Sequence, residues 1–423
     1  MSAPGRNDDM VQRVDRSLAR AVQRVTATPL GRYQSAVLRI GVSATYLLFL
    51  LRELPNRREL YGPDGPWHWD MARRLLADND AFTVLMWSDS AIWFEAVYAL
   101  TLVSAGLLMV GWRTRATSVL FMVGVLSLQN RSIFMGDGGD NVIHLMAVYL
   151  VLTRCARVWS LDARREARNA VRVAEGGRPA RDVVGPVLWA LLGCVLLPAT
   201  WADGLGGTWW LPALLWILWL GNGAWWALHR SSAAREPRVL LDVLANLAHN
   251  AALLVIMAEV CLIYATAGWY KIQGSRWQDG TALYYPLKLD YFSPWPGLSG
   301  LLASSALMVM VLTYVTVIVQ VAFPFTLFNR KVKNVLLVFM IGEHAGIAVL
   351  LGLPFFSLAM IAADAVFLPT GFLVWLGGRV VRGRRALFSR ARGGVGVPGP
   401  RRPDGDAREA PPHADGAGHT LVG

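Results

Sequence analysis

Residues 300–327 read GLLASSALMVMVLTYVTVIVQVAFPFTL, without one Asp, Glu, Lys or Arg. About twenty consecutive apolar residues cross a bilayer as a helix, at about 1.5 Å of rise each. Inside lipid every backbone N–H and C=O needs an internal partner, which a helix supplies. This run is therefore read as a membrane crossing. Nine more apolar runs follow the same logic, at residues 34–51, 91–111, 116–130, 141–154, 184–202, 208–228, 247–268, 334–352 and 355–376. Run 141–154 is short and spans only with its ends drawn in or with residues 137–141 continuing the helix. The predicted fold is an all-α, polytopic transmembrane bundle of about ten spans. The other count is eight, if residues 184–228 form a re-entrant pair.

Composition agrees. The chain has 423 residues, 54% hydrophobic and only 17% charged. Soluble domains carry about 25% charged residues, so an ordinary soluble enzyme is excluded. The net charge of +12 comes with 18 Trp and repeated apolar runs, which is not the pattern of a nucleic-acid binder. The basic residues instead report orientation. With the N-terminus inside, 32 of the 41 Lys and Arg fall in inner segments, as the positive-inside bias requires. Both termini are then cytoplasmic. Trp67, Trp69, Trp87, Trp93, Trp209, Trp210, Trp269, Trp277 and Trp295 gather at the outer edge, where aromatic side chains meet the interface.

Three regions follow: a basic N-terminal segment at 1–30, a transmembrane domain at 31–378, and a tail at 379–423. Residues 11–25, VQRVDRSLARAVQRV, lack the apolar core and cleavage site of a signal peptide. They read either as a basic amphipathic helix on an anionic membrane face or as a solvated arm. The tail is Arg, Gly, Pro and Asp, with little to bury, and reads as disordered. Cys155, Cys194 and Cys261 form no CxxC pair, so neither a disulfide framework nor a zinc site is indicated. The seven His include two in the tail, and no metal is expected. Walker, HExxH and GxSxG signatures are absent from the sequence.

Two outer segments carry candidate chemistry. The first, QNRSIFMGDGGDN at 129–141, packs Asn130, Arg131, Asp137 and Asp140 around three Gly. A helix starting near Asp140 puts His144 on the same face, four residues on. Asp137 and Asp140 read either as site carboxylates or as helix caps. The second, AGWYKIQGSRWQDGTALYY at 267–285, holds Lys271, Trp277 and Asp279. A lysine in apolar surroundings loses its proton more readily and can serve as a base. The same position also suits a snorkelling anchor. Ionisable residues within spans are costly and mark function or interhelical bonding. Glu343, His344, Asp364, Glu259 and Glu95 are of this kind.

NRSIFMGDGGDN, then VWSLDARRE at 158–166, then AGWYKIQGSRWQDGTALYY, in this order among the helices, resemble the HTTM (horizontally transferred transmembrane) domain. That family includes vitamin K-dependent gamma-carboxylases and bacterial proteins like sporulation-delaying protein B. The likeness covers roughly residues 30–375. It implies a bacterial inner-membrane protein and chemistry on a reduced, vitamin K-like quinone, with Lys271 matching the family's base. From their own positions, His144, Glu343 and His344 are candidate catalytic residues beside Lys271, and Asn130, Arg131, Asp137, Asp140, Trp277 and Asp279 are candidate cofactor contacts. Arg157 stands where the animal carboxylases carry a histidine, and residues 184–228 form a hairpin additional to the family pattern. The expected function is a membrane-embedded enzyme using a lipid quinol, with the bilayer and an exported peptide as partners. The alternatives are a non-catalytic helper in peptide maturation or export, and a transporter.

Overall fold

The computed structural model describes residues 6–178, 180–206, 208–230 and 235–393. Every regular element among them is helical. In chain order these are α1 (Arg6–Ala27), α2 (Arg32–Glu53), α3 (Arg57–Tyr61), α4 (Trp69–Asn79), α5 (Ala91–Val110), α6 (Thr114–Arg131), α7 (Gly138–Leu150), α8 (Leu161–Ala174) and α9 (Val184–Trp201). Then follow α10 (Trp210–Arg230), α11 (Arg235–Gln273), α12 (Ser275–Gln278), α13 (Tyr284–Lys288), α14 (Pro296–Ala303), α15 (Ala306–Ala322), α16 (Arg330–Leu350), α17 (Pro354–Asp364) and α18 (Thr370–Gly393). The chain divides into two compact units after Leu373. Within the second unit the described part is the helical stretch up to Gly393. Helix therefore continues past the expected start of the tail at 379, and residues 394–423 lie outside the described residues.

Among the described residues seven helices are long and apolar enough to cross a membrane: α2, α5, α9, α10, α11, α15 with its closing 3-10 turn, and α16. The bent pair α17/α18 raises the number to eight if counted as one span. These account for all the expected runs except 116–130 and 141–154, which are α6 and α7. Both lie inside the bundle, where they face protein and need no uniformly apolar surface. On α6, Thr114, Thr117, Ser118, Ser127 and Arg131 are all buried. On α7, helix starts only at Gly138 and runs 13 residues.

The core forms where α2 meets α5, α6, α7 and α17. Leu38, Val42, Tyr46 and Leu50 of α2 are buried with Phe121 and Met122 of α6, Met146 of α7 and Ala359 of α17. Tyr46 meets the Phe121 ring edge-on at 5.7 Å. Between helices in lipid, close packing and hydrogen bonds drive association, because the tails are as apolar as leucine. The α9–α10 hairpin is open, with 17% and 11% of the two apolar windows buried. Its own clasp is a stacked pair, Trp189 and Trp219, 4.4 Å apart. Each indole N–H donates to the other residue's carbonyl, at 2.9 and 3.0 Å.

Two predicted runs are broken in ways the sequence explains. Run 300–327 splits because Ser305 caps α15, its Oγ accepting from Met308 N at 3.3 Å. Run 355–376 splits before Pro369, since a residue preceding proline disfavours helix. Run 247–268 is instead extended into the 39-residue α11, which carries no glycine or proline between Arg238 and Ala267. The junction of the added turns with the predicted run holds α1 in place. Asn246 donates to Thr26 O, and Asn250 donates to Val25 O, both at 2.8 Å.

The VWSLDARRE stretch is a junction at the same end of the bundle as residues 28–31. Arg39, fully buried on α2, donates to the carbonyls of Leu108 (2.5 Å), Met109 (2.6 Å), Cys155 (3.3 Å) and Trp159 (2.8 Å). Ser160 caps α8, and Asp162 accepts from Arg113 N (3.0 Å), Thr114 N (2.8 Å) and Thr114 Oγ1 (3.0 Å). Gly111 is required there: its φ is +71° and a Cβ would lie 2.3 Å from that of Ser160.

Candidate functional site

Lys271 stands near the end of α11, two turns beyond Tyr264 on the same face. Its Nζ donates to Gln320 Oε1 of α15 at 2.8 Å. Gln320 Nε2 in turn donates to Glu343 Oε1 of α16 at 2.6 Å. The Trp277 ring covers the ammonium, with Nζ 5.2 Å from the ring centroid. One amide thus bridges a lysine and a carboxylate from three different helices. That arrangement is neutral as ammonium with carboxylate and equally neutral as amine with carboxylic acid. A single proton moved between the two ends interconverts them.

His344 follows Glu343 and points about 100° away round α16. It meets a different set of partners. Tyr264 Oη lies 3.0 Å from His344 Nε2, and 3.1 and 3.0 Å from the two Asp364 carboxylate oxygens. All three residues are at most 2% exposed. A phenol has one hydrogen, so bonding to both neighbours makes it a junction: it gives on one side while accepting on the other. His344 Nδ1 is buried with no hydrogen-bond partner among the described residues. Polar side chains from α11, α15, α16 and α17 therefore converge.

The other sequence candidates lie elsewhere. Asp137 and Asp140 form a capping box on α7: Asp137 Oδ1 accepts from Gly139 N (2.6 Å) and Asp140 N (3.2 Å), and Asp140 Oδ2 accepts from Asp137 N (2.9 Å). His144 Nδ1 pairs with Gln129 Oε1 at 3.1 Å. Asn130 Nδ2 donates to Phe82 O at 2.8 Å, and Arg131 donates to Gly62 O and Trp67 O at 3.0 and 2.9 Å. These two residues hold the 54–90 connection against α6. Asp279 binds its own loop: Oδ1 accepts from Thr281 N (3.0 Å) and Thr281 Oγ1 (2.5 Å). The Thr281 hydroxyl holds the Asp279 carboxyl below the usual carboxylate range. Of the other intramembrane acids, Glu95 pairs with Arg57 and Arg58, and Glu259 accepts from Tyr149 Oη at 2.6 Å.

So the structure brings Lys271, Trp277 and Glu343 together, sets His344 beside them, and leaves His144, Asn130, Arg131, Asp137, Asp140 and Asp279 in separate contacts. One ring stands between the two groups. The Phe356 ring lies 5.5 Å from the His344 ring and adjoins Gly138 of α7, while its backbone packs against Gly139. Sequence reasoning missed Gln320 and Tyr264. Gln320 was findable as a lone amide in an apolar run. Tyr264 carries no such signal, since a single tyrosine in an apolar span is ordinary. In comparisons with known proteins, no family model matches the chain, and neither a curated protein nor a solved structure does.

Proposed function

We propose that the chain is a multi-pass cell-membrane protein in which Lys271 is a membrane-embedded base acting on a lipid-soluble acid such as a reduced quinone. The observation that carries this reading is the Lys271–Gln320–Glu343 bridge. A lysine becomes a useful base when it can give up its proton without stranding a charge. Glu343, one amide away, supplies the balancing partner. Gln320 fixes the lysine's direction, and Trp277 shields it from water. The surroundings fit a flat, apolar guest: Trp269, Tyr270 and Ile272 are exposed, and open space adjoins Gly342 and Gly346 beside Glu343. A bound quinol would supply an acidic hydroxyl. Lys271 Nζ would take that proton, with Gln320 and Glu343 holding the base in place. The HTTM resemblance supports the same assignment. In this reading α6 and α7 also cross, giving ten spans with both ends cytoplasmic, as the distribution of Lys and Arg favours.

A second reading, proton-coupled transport, draws on the convergence of Tyr264, Gln320, Glu343, His344 and Asp364 from four helices. Lipid extraction and mass spectrometry of the purified protein separate the two. The enzyme reading expects a quinone to copurify, and expects at least a tenfold reduction in Lys271→Ala. Absence of quinone from the wild type, with Lys271→Ala silent in the host phenotype, removes the enzyme reading. Proton uptake by vesicles holding the protein, abolished in Asp364→Asn, is what the transport reading expects.

A further inference from the structure

α1 is fastened at its C-terminal end. Besides the bonds from Asn246 and Asn250 to Thr26 O and Val25 O, Asn250 Oδ1 accepts from Leu30 N at 2.8 Å, and His249 Nε2 meets Leu30 O at 2.7 Å. Ahead of this clasp every residue from Gln12 to Arg24 is exposed. Two faces of that stretch differ. Val14, Leu18 and Val22 recur every four residues and are 59%, 61% and 51% exposed. Successive residues turn about 100°, so Ala21 joins their stripe while Arg13, Arg16, Arg20 and Arg24 gather on the other side. Asp15 is the one acid among the described side chains of this helix. Arg16 and Arg20 bond only within the helix, and none of the four arginines forms an ion pair among the described residues. The clasp itself lies at membrane depth. Asp242, Asn246 and His249 of α11 face protein partners. On the other side of α11, Val239, Leu240, Leu244 and Leu247 are 39% to 60% exposed. Apolar surface thus continues about two turns past Asn246 toward Arg238.

A helix fastened at that depth, with one apolar face and one basic face, matches a surface that is apolar below and negatively charged above. We propose that α1 lies along the membrane and binds anionic phospholipid. Val14, Leu18 and Val22 enter the boundary between head groups and acyl chains, and Arg13, Arg16, Arg20 and Arg24 supply the attraction to the lipid phosphates. Two other readings fit less well. A solvated arm has no use for an exposed stripe of Val and Leu. Pairing with the α1 of a second copy needs a heptad pattern sustained over about three to four repeats. The 22 residues of α1 barely supply three, and such a pair would leave its arginines without acids. This surface is independent of Lys271.

The test uses the full chain in nanodiscs, with Cys155, Cys194 and Cys261 replaced by Ala and a single NBD-labelled cysteine introduced as Leu18→Cys or, on the opposite face, Gln23→Cys. The nanodiscs contain phosphatidylcholine alone or an equal mixture with phosphatidylglycerol, each with a trace of doxyl-labelled phosphatidylcholine as a quencher within the bilayer. Quenching at Leu18→Cys should be about threefold greater with phosphatidylglycerol than without it. It should exceed quenching at Gln23→Cys in the same nanodiscs, and high salt should reduce it. Replacing Arg13, Arg16, Arg20 and Arg24 together by Gln should remove the gain from phosphatidylglycerol. All four are exposed, so the bundle itself is left intact. Equal quenching at the two label sites overturns the proposal, as does a signal at Leu18→Cys indifferent to phosphatidylglycerol. An NBD blue shift of full size already present in neutral detergent also overturns it, and assigns the stripe to a protein contact such as a second copy.

Discussion

Asp162 accepts three donors from the first residues of α6, so its worth is that of a helix cap. Removing an N-terminal cap costs about 1–2 kcal/mol. Asp162→Ala should therefore lower stability by about 2 kcal/mol in an SDS unfolding titration from mixed micelles, whereas Asp162→Asn, an equally good cap, should lose less than half of that. At this scale the sequence was informative about residue type and weak about partnership. Lys271, Glu343, His344 and Asp364 stand out because charge inside an apolar run is rare. Which of them meet is settled by Gln320, a lone amide that hydropathy passes over, and by Tyr264, an ordinary side chain in its run. Asp137 and Asp140 looked equally suited to chemistry or capping, and only the reciprocal backbone bonds distinguish the two.

The element α7 depends on a close approach. A Cβ on Gly139 would come within 2.6 Å of Phe356 Cα, which is backbone and cannot swing aside. Gly139→Ala should cost about 1–3 kcal/mol through overpacking, read as a lowered Tm. Gly136→Ala is the control: its nearest neighbours would be 3.7 Å away, and the change should stay within about 0.5 kcal/mol. An equal loss in both would show that the α7–α17 contact is not what matters. Long apolar helices such as α15 were legible because lipid-facing residues must be apolar all along. α6 and α7 were harder to read by hydropathy, since protein neighbours let them carry Thr, Ser, Gln and Arg. The breaks at Ser305 and Pro369 follow local rules that hydropathy alone overrides.

For the whole molecule, orientation rests on where the basic residues lie. Residues 154–181 and 274–305 should face opposite sides of the membrane. In a chain with Cys155, Cys194 and Cys261 replaced by Ala, single cysteines at Arg165 and Gln278 should label with an impermeant maleimide from opposite sides of intact cells. Labelling of both from one side would overturn the assignment. The helical class was legible because its cause, the missing charge, is spread over hundreds of residues. The convergence of four helices on Tyr264 and Gln320 was not, because helix order along the chain does not say which faces meet.

Arg39 has a consequence for how the protein is made. Its carbonyl partners come 69 to 120 residues later in the chain. When α2 leaves the ribosome, its guanidinium has nothing to bond. At roughly 5–20 residues per second, the last partner follows roughly 6–24 s afterwards. During that interval α2 cannot settle alone in lipid at its final depth without a heavy penalty. It has to wait at the insertion machinery or ride high with its arginine in the head groups. Biogenesis of this fold is therefore a retention problem, in which an early helix is among the last to be released.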